Sequence, residues 1–359
     1  MSSIRILALT RYGDLGPSSR LRFLQYLPYL KEQGFGIDVQ PLFESAVLAR
    51  RYARGSYSIK DLAVSWGRRI GSLLSRKKFD LLWIEKEALP WFPISIEQRL
   101  LSVVPYVVDL DDAIFHNYDL HRSQFVRKTL GLRTDSIMAN SAMTIGGNQY
   151  LLDRASAAGA RRIAMLPTVV DLSRYELRER NDGSDPVIPK IVWIGSPSTS
   201  KYLELLREPL NELAKRHAFS LRIVGGDWSV DSVPTEVVSW DLETEASDIA
   251  TCDIGVMPLA DSPWERGKCG YKLIQYMASG LPVVASPVGV NNQIVIPGHN
   301  GFLARDAVEW VACLERLILE PALRSSLGRA GRRRVEEHYC LQVTAPQLSR
   351  LLSEAAQRT

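Results

Sequence analysis

Short apolar runs alternate with longer amphipathic stretches along this chain, and the alternation starts twice. In the first half, "IRILALT" (4–10), "FGIDVQPLF" (35–43), "FDLLWIE" (79–85), "PYVVDL" (105–110) and "RIAML" (162–166) read as buried strands. In the second, "KIVWIG", "FSLRIVGG", "IGVMPL" and "LPVVAS" repeat the pattern, with the helix-like "SKYLELLREPLNELAKRH", "EASDIATCD" and "GYKLIQYMASG" between them. Runs without polar alternation fit strands covered on both faces, and the helices supply the crossovers that parallel strands need. The expected class is α/β, with a doubly wound parallel sheet in each of two domains. A length of 359 residues agrees, being too great for one ordinary core. The polar stretch "ELRERNDGSDPVIPK" (176–190) reads as the linker. The expected division is 1–175, 176–335, and a C-terminal helical segment, 336–359, packing back on the first domain. In "SRLRFLQYLPYLKEQG" (19–34), Pro28 is expected to kink or interrupt the helix and Gly34 to end it.

The net charge of +4 permits anionic partners but does not mark a nucleic-acid binder. Cys252, Cys269, Cys313 and Cys340 show no C-x-x-C spacing, so a reducing compartment fits better than a disulfide framework or a zinc knuckle. "MSSIRILALTRYGD" lacks the apolar core of a signal peptide, and no run of about 18 apolar residues occurs, so a cytoplasmic protein is expected. Residues 50–78 stand apart, with nine basic residues and one acid, Asp61. Ile59, Leu62, Ala63, Trp66, Ile70, Leu73 and Leu74 fall at helical spacing. Such a basic amphipathic helix could dock on the inner face of an anionic membrane, or pack on a sheet with its charges solvated. Trp83 and Trp91 are expected in the core.

Three strand ends suit an anion. "WIGSPSTSK" (193–201) offers Gly195, Ser196 and small neighbours that let backbone N–H groups approach a phosphate, with Lys201 entering the next helix. An ordinary strand–helix turn explains the same residues. In "GKCGYK" (267–272), Gly270 opens a helix whose first N–H groups lack helical partners, and Lys272 lies in the first turn. A lysine there opposes the helix dipole unless an anion is bound. "SPVGVNNQ" (286–293) is a weaker third.

Together these blocks resemble glycosyltransferase family 4, in the subgroup that builds bacterial surface polysaccharides. The run "CDIGVMPL…GYKLIQYMASGLPVVASPVGVNNQIV…GHNGFL" is similar to its donor-binding signature. "LPTVVDLSRY" (166–175), "WIGSPSTSK", "IVGGDW" and "DIATCDIGVMPL" resemble further family segments in the same order. "GPSSRLRFLQYLPYLKEQG", "WIEKEALPW" and "VVDLDDAIFHNYDLH" fit the bacterial subgroup. The resemblance implies a retaining enzyme of the GT-B fold, two facing Rossmann-like domains with a cleft between them. It implies a UDP- or GDP-sugar donor, and a glycan or polyprenyl-diphosphate-linked acceptor in capsule, exopolysaccharide or O-antigen synthesis.

On that basis Lys201 and Lys272 are expected to hold the diphosphate with the amides of Cys269, Gly270 and Tyr271. Gln275 is assigned to the ribose, with Gly225, Gly226 and Trp240 at the base pocket. Glu265 or Asp261 is assigned to the donor sugar, and Arg266 and Lys268 are further cations. Gly16, Pro17, Ser18 and Ser19 form the loop facing acceptor and phosphate, and Asp111 or Asp112 orients acceptor or sugar. Neither metal nor cofactor is expected. Two departures stand out: the family's paired glutamates correspond to Gly267 and Gln275, and its loop arginine to Ser196. They leave two competitors open, a nucleotide-sugar epimerase and a non-catalytic binding partner.

Overall fold

The computed structural model describes residues 4–177 and 188–357, so most of the expected linker lies outside the described residues. The chain divides into two compact units. One holds residues up to Thr168, the segment Gly267–Cys269 and residues from Thr344 onward; the other holds Val169–Arg266 and Gly270–Val343.

The first unit is built on six strands, β1 Arg5–Leu9, β2 Gly36–Val39, β3 Leu81–Glu85, β4 Tyr106–Leu110, β5 Met143–Gly146 and β6 Ile163–Met165. They lie in the order β2-β1-β3-β4-β5-β6, all parallel. Every residue of β3 and β4 is buried, as expected of central strands with helices on both faces. The second unit carries β7 Lys190–Ile194, β8 Ser220–Val224, β9 Thr235–Val238, β10 Ile254–Met257, β11 Val283–Ala285 and β12 Gly301–Leu303. Their order is β12-β11-β10-β7-β8-β9, again all parallel. Both orders reverse once, between β1 and β3 and between β7 and β10. Sheets of this kind take ligands at the carboxyl ends of the strands flanking such a reversal.

Local chemistry moved some boundaries. The helix expected over 19–34 is broken at Phe23, where φ is −125°, before Pro28. Pro28 sits in the first turn of the helix Leu27–Glu32, where its missing N–H costs nothing. Gly34 follows that helix with φ +86°.

The basic stretch forms two helices, Ser45–Arg54 and Ile59–Leu74, separated at Gly55 with φ +77°. Leu73 is buried, and Trp66 and Ile70 pack on the core of the first unit. Ile59 and Leu74 turn outward instead. At least five of the nine cations are engaged within the protein, Arg51 over the Tyr57 ring at 4.9 Å. Arg69 donates to the carbonyls of Thr10 and Gln40, and Arg76 to those of Leu73 and Arg99. Arg50 pairs with Asp61, and Arg68 with Glu44. No helix among the described residues is long and apolar enough to cross a membrane.

Candidate active site

In the second unit, the loops after β7 and β8 meet at the strand-order reversal. Gly225 has φ +75°, and a Cβ there would lie 2.3 Å from the Gly195 carbonyl oxygen and 2.8 Å from Trp240 Cβ. Only a residue without a side chain allows that approach. Ser196 and Thr199 close the loop after β7, with Ser196 N donating to Thr199 Oγ1 at 3.1 Å and Thr199 Oγ1 to Ser196 O at 2.9 Å. Beyond it the chain enters a 3-10 helix, Ser200–Leu206, and the α-helix begins only at Arg207. Lys201 therefore does not open an α-helix; its Nζ lies 5.0 Å from the centre of the Tyr202 ring.

Trp193 ties this loop to the second predicted phosphate segment. Its ring is buried beneath Gly195 and Gly226, where added Cβ atoms would meet it at 2.4 and 2.7 Å. Lys272 Nζ lies 4.4 Å from a Trp193 ring centroid. A cation above an aromatic face gains electrostatically from the ring quadrupole. Gly270 caps the helix Tyr271–Ala278 with φ +66° and, as a glycine, brings no side-chain capping bond of its own. In the sequence Trp193 reads only as part of a strand; a large indole two residues before Gly195 was the available signal.

The carboxylates of this unit are placed differently from one another. Glu265 is buried and accepts from Tyr202 Oη and Ser262 Oγ. Asp261 is exposed and bound by Arg266 at 2.6 and 3.0 Å, so that guanidinium is paired rather than held in reserve as a second cation. Asp261 also borders a depression of about 710 Å³ with Leu259, Ser286, Val288, Glu204 and Asp306. Arg305 lines it too, so carboxylates and a guanidinium share this depression. Gln275 is buried and donates from Nε2 to Tyr175 Oη at 3.1 Å. Trp240 Nε1 donates to Glu245 at 2.9 Å.

The first unit gathers a second group of predicted residues at its own reversal, after β1, β3 and β4. Gly16 precedes the short helix Pro17–Arg22 and packs so closely that a Cβ would strike the Tyr12 side chain at 2.4 Å. Ser19 Oγ donates to Glu85 at 2.6 Å and accepts from Tyr12 N at 3.0 Å. Asp111 and Asp112 follow β4. Between them and the serine loop stands Lys86, which the sequence reading passed over. Its Nζ lies 2.8 Å from Asp111 Oδ1, 3.4 Å from Asp112 Oδ2 and 3.0 Å from Ser18 Oγ. Lys268 Nζ is 3.8 Å from Asp112 Oδ1. The signal was the charged triplet Glu85–Lys86–Glu87 closing the apolar run Leu81–Ile84.

Burial works to raise the Asp111 carboxyl, but the Lys86 ammonium and the Ser18 hydroxyl hold it below the usual carboxylate range. Burial opposes the charge on Lys86 as well, and Asp111 and Asp112 overcome it, so its pKa is raised. Glu85 is held above its ordinary value by burial, despite Lys86.

Cys269 is buried in the first unit. Its Sγ donates to the Asp111 carbonyl at 3.1 Å, and Asn148 Nδ2 holds the carbonyls of Gly267 and Lys268 at 2.8 and 3.0 Å. His116 is held between Asp119 Oδ1 and Tyr150 Oη, at 2.8 Å each. Trp83 is in the core as expected, whereas Trp91 is 46% exposed, edge-on to Tyr118 and His121.

The model of the family described as glycosyl transferases group 1 matches residues 188–320. The sulfoquinovosyl transferase of Arabidopsis thaliana is 24% identical over 351 residues, covering 88% of this chain and 67% of its own length. Two solved structures share the fold over nearly the whole chain. Sucrose-phosphate synthase from Thermosynechococcus elongatus aligns over 98% of each chain with a TM-score of 0.73 and 17% identity. Anabaena HepE, solved in complex with UDP-glucose, covers 98% of this chain and 99% of its own at 0.69 and 16%. The matched group 1 domain, residues 188–320, lies over the glycine loops and Lys272, and the chain is a glycosyltransferase of the GT-B fold.

Proposed function

We propose that this enzyme moves a hexosyl or N-acetylhexosaminyl group, with retention, from a UDP- or GDP-sugar to a glycan or polyprenyl-diphosphate-linked acceptor in bacterial surface polysaccharide synthesis. The observation that carries the donor assignment is Lys272 held above Trp193, the ring that floors the Gly195 and Gly226 loops. HepE, of the same fold, is described with UDP-glucose bound, which supports a nucleoside diphosphate as the leaving group here.

The difficult step is departure of that diphosphate as negative charge develops on it. Lys272, Lys201 and the amides of Gly270 and Tyr271 would stabilise the charge, each strong contact supplying roughly 2.7–4 kcal/mol by analogy with oxyanion-hole donors. The departing phosphate oxygen takes the acceptor proton on the same face of the sugar, so no separate base is assigned. With cations supplying the neutralisation, EDTA is expected to leave the rate unchanged. We place the enzyme in the cytoplasm, with the outward Ile59 and Leu74 and the adjacent Lys60, Lys77 and Lys78 resting on the anionic inner face of the membrane.

The test uses thermal shift with UDP, GDP, UDP-glucose, UDP-N-acetylglucosamine and GDP-mannose, since a ligand of the native state raises stability by mass action. One nucleotide series is expected to stabilise the protein. Lys272→Ala should abolish that shift and cut transfer about 100- to 1,000-fold. A Lys272→Ala enzyme that binds and transfers like wild type would remove the diphosphate assignment.

A further inference from the structure

Lys86 and Trp91 are the non-glycine residues with positive φ among the described residues, at +64° and +66°. Both lie in the loop 86–92 after β3, at the reversal of the first sheet. A left-handed backbone at a bulky residue costs of order 1–3 kcal/mol and persists only where its surroundings impose it. Here the imposing surroundings are identifiable. Glu97 accepts from the amides of Ala88 at 2.7 Å and Leu89 at 3.0 Å, and is paired with Arg133. Arg133 also donates to the carbonyls of Leu89 and Phe92 and, at 3.2 Å, to Glu87. Glu87 accepts from Tyr118 Oη at 2.7 Å and from Arg11 at 3.2 Å. Trp91 N donates to Tyr118 Oη at 3.3 Å. Arg133 and Glu97 are wholly buried, so these bonds act where water does not compete. Every backbone anchor in this network falls on the loop, and each limits how far the Lys86 stem can move.

The restraint has a target. Lys86 is buried, and its ammonium meets Asp111, Asp112 and Ser18. The two aspartates differ in exposure: the Asp111 side chain is 10% exposed and that of Asp112 29%. We infer that Lys86 is a positioning residue for glycosyl transfer: it draws the Asp111 carboxylate inward and fixes Asp112 as the carboxylate that receives an acceptor hydroxyl. The inference rests on the proposed transferase reading and adds to it a division of labour between two adjacent acids. An ionised carboxylate only accepts hydrogen bonds, so one fixed by ammonium groups on one side selects a hydroxyl donor on the other. The shared ligand chemistry is a sugar or alcohol hydroxyl. No proton need pass to Asp112, because its task is to aim the acceptor oxygen.

The electrostatic surroundings set the sign of the test. Asp111 is faced by Lys86, by Ser18 and Arg22 from the helix Pro17–Arg22, by Glu85 of β3, by Asp109 of β4, and by Cys269. Asp112 is faced by Lys86 and Lys268. With Lys86 present, Asp111 titrates low, so its contribution to stability is present above about pH 3.9 and lost only as pH falls below that. Without Lys86, burial acts with less opposition and the Asp111 pKa rises. Its contribution then exists below about pH 3.9 and is lost as pH increases.

Lys86→Gln and Lys86→Arg decide the matter, with Asp112→Asn as the variant least at risk of misfolding. Transfer is measured from whichever of UDP-glucose, UDP-N-acetylglucosamine or GDP-mannose stabilises the wild type, to n-octyl glycosides of glucose, galactose and N-acetylglucosamine. Lys86→Gln is expected to lower kcat/KM for the octyl glycoside about 100-fold, the cost of misplacing a reacting group by about 1 Å. The acid limb of its pH profile should move upward, and the UDP- or GDP-induced melting shift should stay within twofold of wild type. Lys86→Arg should recover part of the rate. Asp112→Asn should lose acceptor kcat/KM with donor binding intact. Without any ligand, the melting-temperature gap between wild type and Lys86→Gln should widen from pH 4 to pH 8. A wild-type rate in Lys86→Gln overturns the inference, as does a lower rate with an unmoved pH profile, which marks a merely structural lysine. If wild type transfers from none of these donors, the transferase reading fails, and the ligand-free melting series still decides whether Lys86 governs Asp111: a gap that does not change with pH overturns it.

Discussion

The two strand-order reversals are built from opposite materials. In the second unit, glycines let backbones approach within a side chain's width, and cations lie over aromatic rings: Lys272 on Trp193 and Lys201 on Tyr202. In the first unit the corresponding loops are dense with buried ion pairs, Arg22 with Asp109, Lys86 with Asp111, and Arg133 with Glu87 and Glu97. Under the proposed function, the contrast follows from what each unit must meet. A diphosphate brings its own charge and is met by backbone N–H groups and cations. A neutral hydroxyl brings only a weak dipole, so the protein must supply the charge and hold it still. Charge fixed in a dry setting needs compensating charge around it, which is why the first unit carries so many pairs.

Breaking the ionic side of this contrast should have the largest effect. Arg133→Met keeps volume but leaves the Glu87 and Glu97 carboxylates buried without their shared partner. Losing one member of such a set costs about 3–5 kcal/mol. Urea unfolding should show that loss. A change below about 1 kcal/mol would mean that packing, not charge, holds the loop after β3.

The backbone side is tested by Gly225→Ala. The new Cβ would meet the Gly195 carbonyl at 2.3 Å and would also occupy a left-handed position. Gly298→Ala is the control, because Gly298 has φ +75° with nothing within 4 Å of an added Cβ. Strain alone, about 1–2 kcal/mol, is expected at Gly298. Gly225→Ala should cost more and also weaken binding of UDP or GDP, whereas Gly298→Ala should leave binding unchanged. Equal losses in the two variants would mean that the Gly195–Gly225 approach has no part in the donor site.

The same division explains what was legible in the sequence. Glycine loops announce themselves locally, so Gly195 and Gly270 stand out from strand-to-helix spacing, whereas Gly225 is singled out only by the family resemblance. Strands covered on both faces were found by their continuous apolar runs. Three strands escaped: Met143–Gly146, Thr235–Val238 and Gly301–Leu303. Each is three or four residues long, and Thr235–Val238 is largely exposed, so neither length nor apolarity marks it. The ionic site was harder to read, because its members are far apart in sequence. Lys86 meets Asp111 across 25 positions and Glu97 meets Arg133 across 36, and only the order of the strands brings them together. The break at Phe23 was missed because Pro28 drew attention to itself, although a proline in a first turn begins a helix more readily than it bends one.

Cys269 sharpens the comparison with the smallest expected effect. It belongs to the donor-side motif "GKCGYK" by sequence, yet the structure groups it with the first unit. Burial, with Asp111 assisting, pushes its thiol up to about 12, so at pH 8 almost none is thiolate. Its Sγ–H bond to the Asp111 carbonyl is one of several restraints, since Asn148 independently holds the carbonyls of Gly267 and Lys268. Cys269→Ala should therefore cost about 1 kcal/mol or less, with transfer within about threefold of wild type. Iodoacetamide followed by intact-mass analysis should modify the partly exposed Cys313 before Cys269. A tenfold loss of transfer in Cys269→Ala would show that a single thiol, rather than the Asn148 amide, sets the position of Lys268. Asn148→Ala would then be the milder variant, reversing the order expected from two backbone bonds against one weak sulfur donor.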